Sequence, residues 1–458
     1  MNQTKTPDRL EGFNSEGDVN LSSHRAVWNQ MHTGGETREW LQKDADVFLH
    51  QSMSTPCLNV LEQCDGVYLQ DLQGRRILDF HGNSVHQVGY RNPKVVEAII
   101  AQLRTLPFCP RRYTNRPTIE LAEKLGQLAP GNLNKVLFAP GGTTAIGMAL
   151  KLARVATGRF KTISMWDSFH GASLDAISVG GEAVFRNGIG PLLPGAEHVP
   201  PPDARHCVWG CDGKCNLKCA DYIEYVLEKE GDIAAVIAET VRCTPYIPPK
   251  DYWKKVRSAC DKHGALLVLD EIPICLGRTG KMFACEHYDV VPDILVIGKG
   301  LGGGIFPQAA IIARDSLNVA ADKSLGHYTH EKNPVAAAAG LATLECIEAD
   351  HLLENSHVVG RNALDRMTAM MDRHALIGDV RGLGLLMGME LVTNRKTHAR
   401  ATDAAERILY AALSRGLSFK LTMSNIITLT PPLTISMAEI DLALDILEEC
   451  LYEVESPR

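Results

Sequence analysis

Short apolar runs alternate with amphipathic stretches through the middle of the chain, from residue 92 to about residue 334. Apolar positions that recur every three or four residues predict helices, and brief unbroken apolar runs predict buried strands. The predicted helices are 95–103, 119–128 and 251–263, and the predicted strands are 136–139, 162–165, 234–238, 266–269 and 294–297. This alternation predicts an α/β fold with a mainly parallel sheet flanked by helices on both faces.

The two ends of the chain have different patterns. Residues 1–50 are polar and weakly amphipathic around Trp28 and Trp40, and residues 66–79 predict a hairpin that turns at Gln73-Gly74. The later part predicts, in order, helix 336–349, helix 352–371, strands around 384–391, helix 403–414, strand 426–429 and helix 438–451. We therefore expect an N-terminal arm and hairpin that joins the small domain (1–89), a large domain (90–335) and a C-terminal small α+β domain (336–458).

Charge and composition narrow the choice of partner. The formal net charge is -7 at pH 7, and the chain has no long basic block, which argues against nucleic acid or an anionic membrane as the main partner. The N-terminus has no apolar core of a signal peptide, and no segment approaches an uninterrupted apolar 18-mer. We expect a cytoplasmic protein that acts on a small molecule.

The 13 cysteines are scattered, as is usual for reduced thiols in an intracellular protein. Four of them lie at intervals of four residues, at Cys207, Cys211, Cys215 and Cys219. Four thiolates could hold structural zinc, but the spacing is not the usual Cys-x-x-Cys pair. Because glycines interrupt this segment, we favour a partly buried loop with no metal over a zinc site.

Two predicted strands end in ionisable side chains, Asp270 and Lys299. A lysine at the end of an apolar strand is desolvated, and its amine can then act as a nucleophile. Taken singly, each residue has an ordinary explanation, a snorkelling lysine or a helix-capping aspartate. Together they suggest pyridoxal phosphate, with the lysine forming a Schiff base and the aspartate pairing with the pyridine nitrogen.

A possible phosphate-binding turn follows the strand at 136–139. Gly141 and Gly142 would let the backbone approach an anion, the next helix would direct its N-terminal amides toward it, and the hydroxyls of Thr143 and Thr144 could donate. A capped helix after a tight turn is the alternative explanation.

An aromatic residue, Phe169, follows the next strand, where its ring could stack on a pyridine. A core role is the more common one for such a residue, and the adjacent His170 could equally be a structural histidine.

The segment 298–303 also matches the G-x-G-x-x-G pattern of dinucleotide-binding proteins. We reject that interpretation, because the pattern runs into another apolar strand instead of opening a helix.

In this order, the motifs resemble the class III aminotransferase family of fold-type I pyridoxal phosphate enzymes, over about residues 56–451. By this resemblance the large domain binds the cofactor, Gly142 and Thr143 bind its phosphate, and Thr329 reaches the phosphate of the neighbouring subunit. A homodimer with shared active sites follows. The residues that the resemblance assigns to the cofactor are Gly142, Thr143, Phe169, Glu239, Asp270, Ile272, Lys299 and Thr329.

The resemblance also gives the residues around the cofactor ring individual roles. Lys299 would form the Schiff base and act as the catalytic residue, and Asp270 would pair with the ring nitrogen. Phe169 would stack on the ring, and Ile272 would pack beneath it.

Several positions depart from the usual pattern of the family. Thr428 stands where many members carry an arginine that binds the substrate carboxylate, and a threonine cannot form that bidentate pair. Pro273 replaces a glutamine that bonds to the ring oxygen, and Thr144 replaces a glutamate of the phosphate turn. Glu239 is kept at the position of a family glutamate that lies near the substrate arginine, but Thr240 replaces the proline that usually follows it. The departures imply an altered substrate pocket.

Cationic residues elsewhere are candidates for binding a substrate anion. Arg111 and Arg112 are predicted to bind substrate, although adjacent arginines cannot both point inward on a strand, and one solvated and one structurally paired arginine is the alternative. Lys332 and Lys420 are further candidates. Asn83 and His86 occupy the segment that lines the substrate side in relatives, and we expect them to contact a substrate hydroxyl.

The departures resemble a subgroup of the family that acts on small phosphorylated or phosphonylated amines, including ammonia-lyases. The resemblance implies β-elimination of the hydroxyl from (R)-1-hydroxy-2-aminoethylphosphonate, which yields phosphonoacetaldehyde and ammonia during phosphonate catabolism. The alternative is an ω-aminotransferase that uses pyruvate or 2-oxoglutarate as acceptor. A non-catalytic binding protein is a third possibility, which Lys299 argues against.

Overall fold

The computed structural model describes residues 22–211 and 214–456. Its helices are α1 (Ser23–His32), α2 (Gly35–Val47), α3 (Pro93–Thr105), α4 (Arg116–Leu128), α5 (Gly142–Thr157), α6 (Leu174–Val179), α7 (Ala183–Arg186), α8 (Lys218–Glu230), α9 (Tyr252–His263), α10 (Pro334–Ala349), α11 (Leu352–Met370), α12 (Thr402–Ser414) and α13 (Met437–Glu455). Short 3-10 helices are present at Gly82–Ser84, Ala284–Tyr288, Lys299–Gly302 and Asp315–Leu317.

The strands are β1 (Leu61–Asp65), β2 (Tyr68–Asp71), β3 (Arg76–Asp79), β4 (Leu133–Ala139), β5 (Lys161–Met165), β6 (Ala196–Val199), β7 (Ile233–Glu239), β8 (Leu266–Asp270), β9 (Ile294–Ile297), β10 (Ala309–Arg314), β11 (Ile377–Leu383), β12 (Leu386–Asn394), β13 (Ala399–Arg400), β14 (Leu417–Ser418), β15 (Lys420–Thr422) and β16 (Ile426–Leu429). The predicted α/β fold and the predicted hairpin at 66–79 are confirmed.

A seven-stranded sheet in the order β4-β10-β9-β8-β7-β5-β6 forms the centre of the protein. Its strands are parallel except β10, which runs antiparallel to both β4 and β9. Alternate residues of β7 enter two separate apolar clusters: Val236 packs in the cluster that contains residues of α8 and α9, whereas Ile237 packs in the cluster that contains residues of α5. Helices therefore cover both faces, which explains the unbroken apolar runs of the central strands.

Two smaller sheets flank the central one. An antiparallel sheet in the order β11-β12-β16-β15, with β13 paired to β12, forms in the later part of the chain. The N-terminal strands β1, β2 and β3 form the other sheet, and β14 completes it by pairing parallel to β3. The two ends of the chain thus share one sheet. Within the described ranges, no helix is long and apolar enough to cross a bilayer.

Asparagines fix the starts of three helices that lie next to functional segments. Asn92, Asn115 and Asn333 each accept a backbone N–H of the first turn through their side chains, and a proline follows within two residues of each. An asparagine cap followed by proline ends the preceding loop at a defined point, because proline has the φ of a helix and needs no hydrogen-bond acceptor there.

Candidate active site

A cavity of about 320 Å³ lies where β4 and β9 end and β10 begins. Its walls are Val85, Gly141, Gly142, Lys299, Gly304, Ile305, Phe306, Pro307 and Gln308. Ligands of open α/β sheets bind outside the carboxyl ends of the strands, and this cavity has that position relative to β4 and β9. Of the sequence-predicted residues, Gly142 and Lys299 line it together.

Lys299 directly follows the strand end at Ile297-Gly298 and begins a 3-10 turn. It is half-buried and has a φ of 47°, in the left-handed region that non-glycine residues rarely adopt. A tight contact accompanies this conformation: a Cβ at Gly300 would lie 2.0 Å from Oε1 of the buried Gln87. The backbone at Lys299 is therefore held in a strained conformation by its surroundings, a situation that is common at functional sites.

Asp270 ends β8 and is almost fully buried, with 2% of its surface exposed. Its Oδ1 accepts the backbone N–H of Ile272 at 3.0 Å, and its Oδ2 lies 2.8 Å from Nδ1 of His170. With its proton on Nδ1, the imidazole donates to the carboxylate and fixes its orientation. His170 is thus a structural partner of Asp270, and with the Ile272 amide it fixes the position of this carboxylate.

The turn before α5 has the features of an anion site. Gly141 is the N-cap and has no side chain to accept the first amide groups of the helix. A Cβ at Gly142 would lie 2.8 Å from Cδ1 of Ile272, so only glycine lets the turn approach that side chain. The hydroxyl of Thr144 donates to Gly141 O at 2.7 Å, and that of Thr143 accepts the N–H of Ala172 at 3.3 Å. The N-terminal amides of α5 are consequently left for an anion.

Glu239 connects the predicted stacking residue to a cation that sequence reasoning missed. Its Oε1 accepts the backbone N–H of Phe169 at 3.2 Å and lies 3.7 Å from Nε of Arg242. Burial raises the pKa of Glu239, and the nearby Arg242 guanidinium opposes that rise. Arg242 also forms an ion pair with Glu182 at 2.9 Å, so two carboxylates face this buried guanidinium. The Phe169 ring is 38% exposed and contacts the ring of Phe185.

The predicted substrate residues Asn83 and His86 occupy different environments. Asn83 is exposed and lines a second cavity, of about 560 Å³, together with Lys420. His86 is fully buried, with its Nε2 3.6 Å from Oδ2 of Asp79. A Cβ at Gly82 would lie 2.4 Å from the His86 ring, and burial lowers the pKa of this imidazole to about 4. His86 is therefore a neutral group packed under the turn, and its predicted contact with substrate remains a prediction.

Arg111 and Arg112 lie in an exposed turn, not on a strand. Arg111 lines a third cavity, of about 380 Å³, and Thr329 lies in an exposed turn before α10. Thr428, which the resemblance sets at the position of a substrate arginine, is buried in β16 and bonds to Thr422 through the two hydroxyls at 2.7 Å. This hydrogen-bonded pair occupies the interior at a position that would otherwise have to accommodate a guanidinium.

The described residues of the cysteine segment before α8, 207–211 and 214–217, lie outside helices and strands, and α8 begins at Lys218, one residue before Cys219. The sulfurs of Cys207 and Cys211 lie 3.2 Å apart. Burial, with smaller contributions from the nearby Cys215 and Cys207, raises the pKa of Cys219 to about 12, which keeps this thiol protonated. In the ranges 22–211 and 214–456, no group of three or more His, Cys, Asp or Glu side chains is arranged to hold a metal ion.

The chain belongs to the class III aminotransferase family. The family profile described as "Aminotransferase class-III" matches residues 50–451, which is most of the chain. The solved structure of a Bacillus anthracis aminotransferase superimposes with a TM-score of 0.85 at 32% identity and covers 92% of this chain and 99% of that one. The fold is that of the fold-type I pyridoxal phosphate enzymes.

Two further relatives are informative about the site. The (R)-1-hydroxy-2-aminoethylphosphonate ammonia-lyase of Vibrio splendidus (strain 12B01) is 50% identical over 458 residues, with 96% of each chain covered. An amine transaminase from an uncultivated Pseudomonas species, solved in its pyridoxal phosphate-bound form, is 31% identical, has a TM-score of 0.82, and covers 89% of this chain and 99% of that one.

Proposed function

We propose that this protein is a pyridoxal phosphate-dependent ammonia-lyase that converts (R)-1-hydroxy-2-aminoethylphosphonate to phosphonoacetaldehyde and ammonia by β-elimination. The observation that carries the proposal is the 50% identity, over 96% of the chain, to an enzyme with that name. The buried threonine at position 428 supports the proposal. It is hydrogen-bonded to Thr422, so this position offers no arginine to bind an α-carboxylate.

The residues around the first cavity fit pyridoxal phosphate. The uncapped turn at Gly141 and Gly142 suits the phosphate, Asp270 suits a protonated pyridine nitrogen, and Lys299 suits a covalent link to the aldehyde. When bound, the cofactor supplies an electron sink for negative charge that develops on the substrate carbon bearing nitrogen. The wall that Ile272 forms against Gly142 supports its assignment beneath the ring.

The side chains of the site divide the remaining tasks. Lys299 Nζ accepts the proton from the carbon bearing nitrogen, which allows the hydroxyl on the adjacent carbon to leave. His170 and the Ile272 amide donate to Asp270 and hold its carboxylate in place. Glu239 holds the backbone of Phe169 and thereby sets the position of the aromatic ring. The enamine product tautomerises and hydrolyses after release, so no keto acid is consumed.

The proposed enzyme acts as a homodimer in the cytoplasm, and Thr329 of each subunit reaches the cofactor phosphate of the other. The exposed position of the Thr329 turn supports this arrangement. We also propose domain limits at 1–89, 90–335 and 336–458, which the pairing of β3 with β14 supports by joining the N-terminal hairpin to the C-terminal part.

The test measures ammonia and aldehyde release from (R)-1-hydroxy-2-aminoethylphosphonate, with and without pyruvate. We expect release without pyruvate, and Lys299→Ala should abolish it. Turnover that requires pyruvate and forms alanine would instead establish an ω-aminotransferase, which the transaminase structures among the relatives favour. Steady-state activity retained by Lys299→Ala would contradict the role of the lysine.

A further inference from the structure

Two arginines lie at the surface without an ion-pair partner among the described residues, although Glu331 also lines the cavity that Arg111 lines. Arg111 and Arg112 are both exposed, and neither has a hydrogen-bond or ion-pair partner among the residues that the structure describes. Other cations around the cavity that Arg111 lines are neutralised: Lys135 pairs with Asp315 at 3.1 Å, and Lys323 pairs with its neighbour Asp322 at 2.7 Å. The two arginines are therefore available for an anion from outside their own chain.

The arginine turn is attached to the loop that carries Thr329. Asn115 Nδ2 donates to the backbone oxygen of Lys332 at 3.2 Å, and the ring of Phe108 meets the ring of His330 edge-on, with centroids 5.4 Å apart. Asn115 also caps α4, which fixes the end of the turn. Any surface that receives the Thr329 loop therefore receives the two arginines nearby.

Within one chain, the arginines lie at the wrong end of the sheet to serve Lys299. Arg111 shares its cavity with the stretch of β4 from Lys135 to Leu137, whereas the Lys299 cavity begins at Gly141. An extended strand rises about 3.3 Å per residue, so these positions are separated by roughly 13 to 20 Å. Strand β10 shows a similar separation, roughly 10 to 17 Å by the same rise per residue: Ile311 and Ala313 line the arginine cavity, and Gln308 lines the other.

The Lys299 cavity itself has nothing to neutralise a substrate dianion. Among the described residues that line it, Lys299 is the one cation, and the substrate amine must reach that lysine. The buried Arg242 already faces Glu182 and Glu239, so it carries no surplus charge. In the proposed substrate, two carbons separate the amine from the phosphonate, which is too short a span to connect Lys299 with arginines of the same chain.

We infer that Arg111 and Arg112 of one protomer bind the substrate phosphonate in the active site of its partner. This inference rests on the proposed function and specifies how that site recognises its substrate. A guanidinium pairs with phosphonate oxygens through two parallel N–H donors, which is the geometry that arginine provides and lysine does not. Each active site is then incomplete without the second copy, as closed two-fold symmetry allows.

Subunit mixing tests the inference directly. Differently tagged Lys299→Ala and Arg111→Ala/Arg112→Ala chains are co-expressed, and the heterodimer is isolated by two affinity steps. If the arginines act across the interface, one of its two sites contains both the lysine and the arginines, and it recovers half of the wild-type rate per dimer. If they act within their own chain, neither site is complete. Only one site then retains Lys299, so the rate per dimer is about half that of the arginine-variant homodimer.

A mirror heterodimer with the same three substitutions is the matched control. It pairs the wild-type chain with a chain that carries all three, and we expect no complete site and no recovery. Half of the wild-type rate in this mirror heterodimer would overturn the inference, as would the absence of recovery in the first one. Wild-type ammonia release is measured alongside, so a failed proposed function is distinguished from a failed assignment of the arginines.

A binding measurement separates recognition from general damage to the site. In the Arg111→Ala/Arg112→Ala homodimer, KM should rise about 10- to 100-fold because charge-assisted hydrogen bonds are lost. Its affinity for the unreactive anion 2-hydroxyethylphosphonate, measured by calorimetry, should fall by the same factor. Its cofactor absorption band should be unchanged. Arg104→Ala, at an exposed position near the end of α3, should bind the anion as the wild type does. Equal anion affinity in the double variant would overturn the assignment.

Discussion

Replacing His86 would test whether this side chain belongs to the core or to the substrate pocket. Its ring is fully buried under Gly82, and burial lowers its pKa from 6.5 to about 4, with Asp79 opposing the change. In the unfolded chain the imidazole titrates near 6.5, so between pH 6.5 and 4 the unfolded chain binds more protons than the folded one. Stability therefore falls as the pH drops through this window, by about 3 kcal/mol at its lower end.

The assay compares the wild type with His86→Gln, which cannot acquire a charge. Urea unfolding is followed at about pH 7.5 and about pH 4.5, and the wild type should lose about 2 to 3 kcal/mol more than the variant between them. The difference between the two proteins isolates this histidine, because the other titrating groups are common to both. Equal losses would refute the buried, neutral state of His86. A raised KM with unchanged stability would make it a substrate contact instead.

Two further predictions concern packing and pH. Gly142→Ala should lower the melting temperature and the cofactor content. Its Cβ would lie 2.8 Å from Ile272 Cδ1, and such overpacking costs about 1 to 3 kcal/mol. The control is Gly141→Ala, whose Cβ meets nothing within 4 Å and which should keep the melting temperature of the wild type. The hydrogen bond with Glu390 raises the pKa of His206, so His206→Gln should destabilise the protein most below about pH 6.5 and progressively less as the pH rises through the raised pKa. Equal destabilisation at low and high pH, measured by thermal unfolding, would contradict that coupling.

Much of the fold could be predicted from apolar periodicity, because burial imposes it locally. The strand predicted at 294–297 is β9 without correction, and the predicted helix at 251–263 differs from α9 by one residue. Every residue of β9 is buried, and α9 buries one face from Tyr252 to Cys260, so burial accounts for both patterns. The absence of helix and strand from residues 207–211 and 214–217 was also predictable, because Gly210 favours a turn.

Contacts between distant parts of the chain could not be predicted in this way. No local pattern indicates that β10 runs antiparallel to its neighbours or that Arg242 meets Glu182. Sequence reasoning treated Arg111 and Arg112 as strand residues, whereas Asn115 ends a turn there by capping α4. The environment of His86 depends on the fold of the turn at Gly82, which the sequence of that turn does not specify.

The pairing of β3 with β14 has a consequence for how the protein is made. Leu78 pairs with Leu417, and Trp28 Nε1 donates to Ser414 Oγ at 3.1 Å, so β3 and α1 need partners that lie more than 300 residues later in the chain. During synthesis, the N-terminal hairpin emerges from the ribosome long before β14 exists. The outer edge of β3 must remain unpaired until β14, more than 300 residues further along the chain, has been synthesised. During this period the open edge is exposed to other nascent chains.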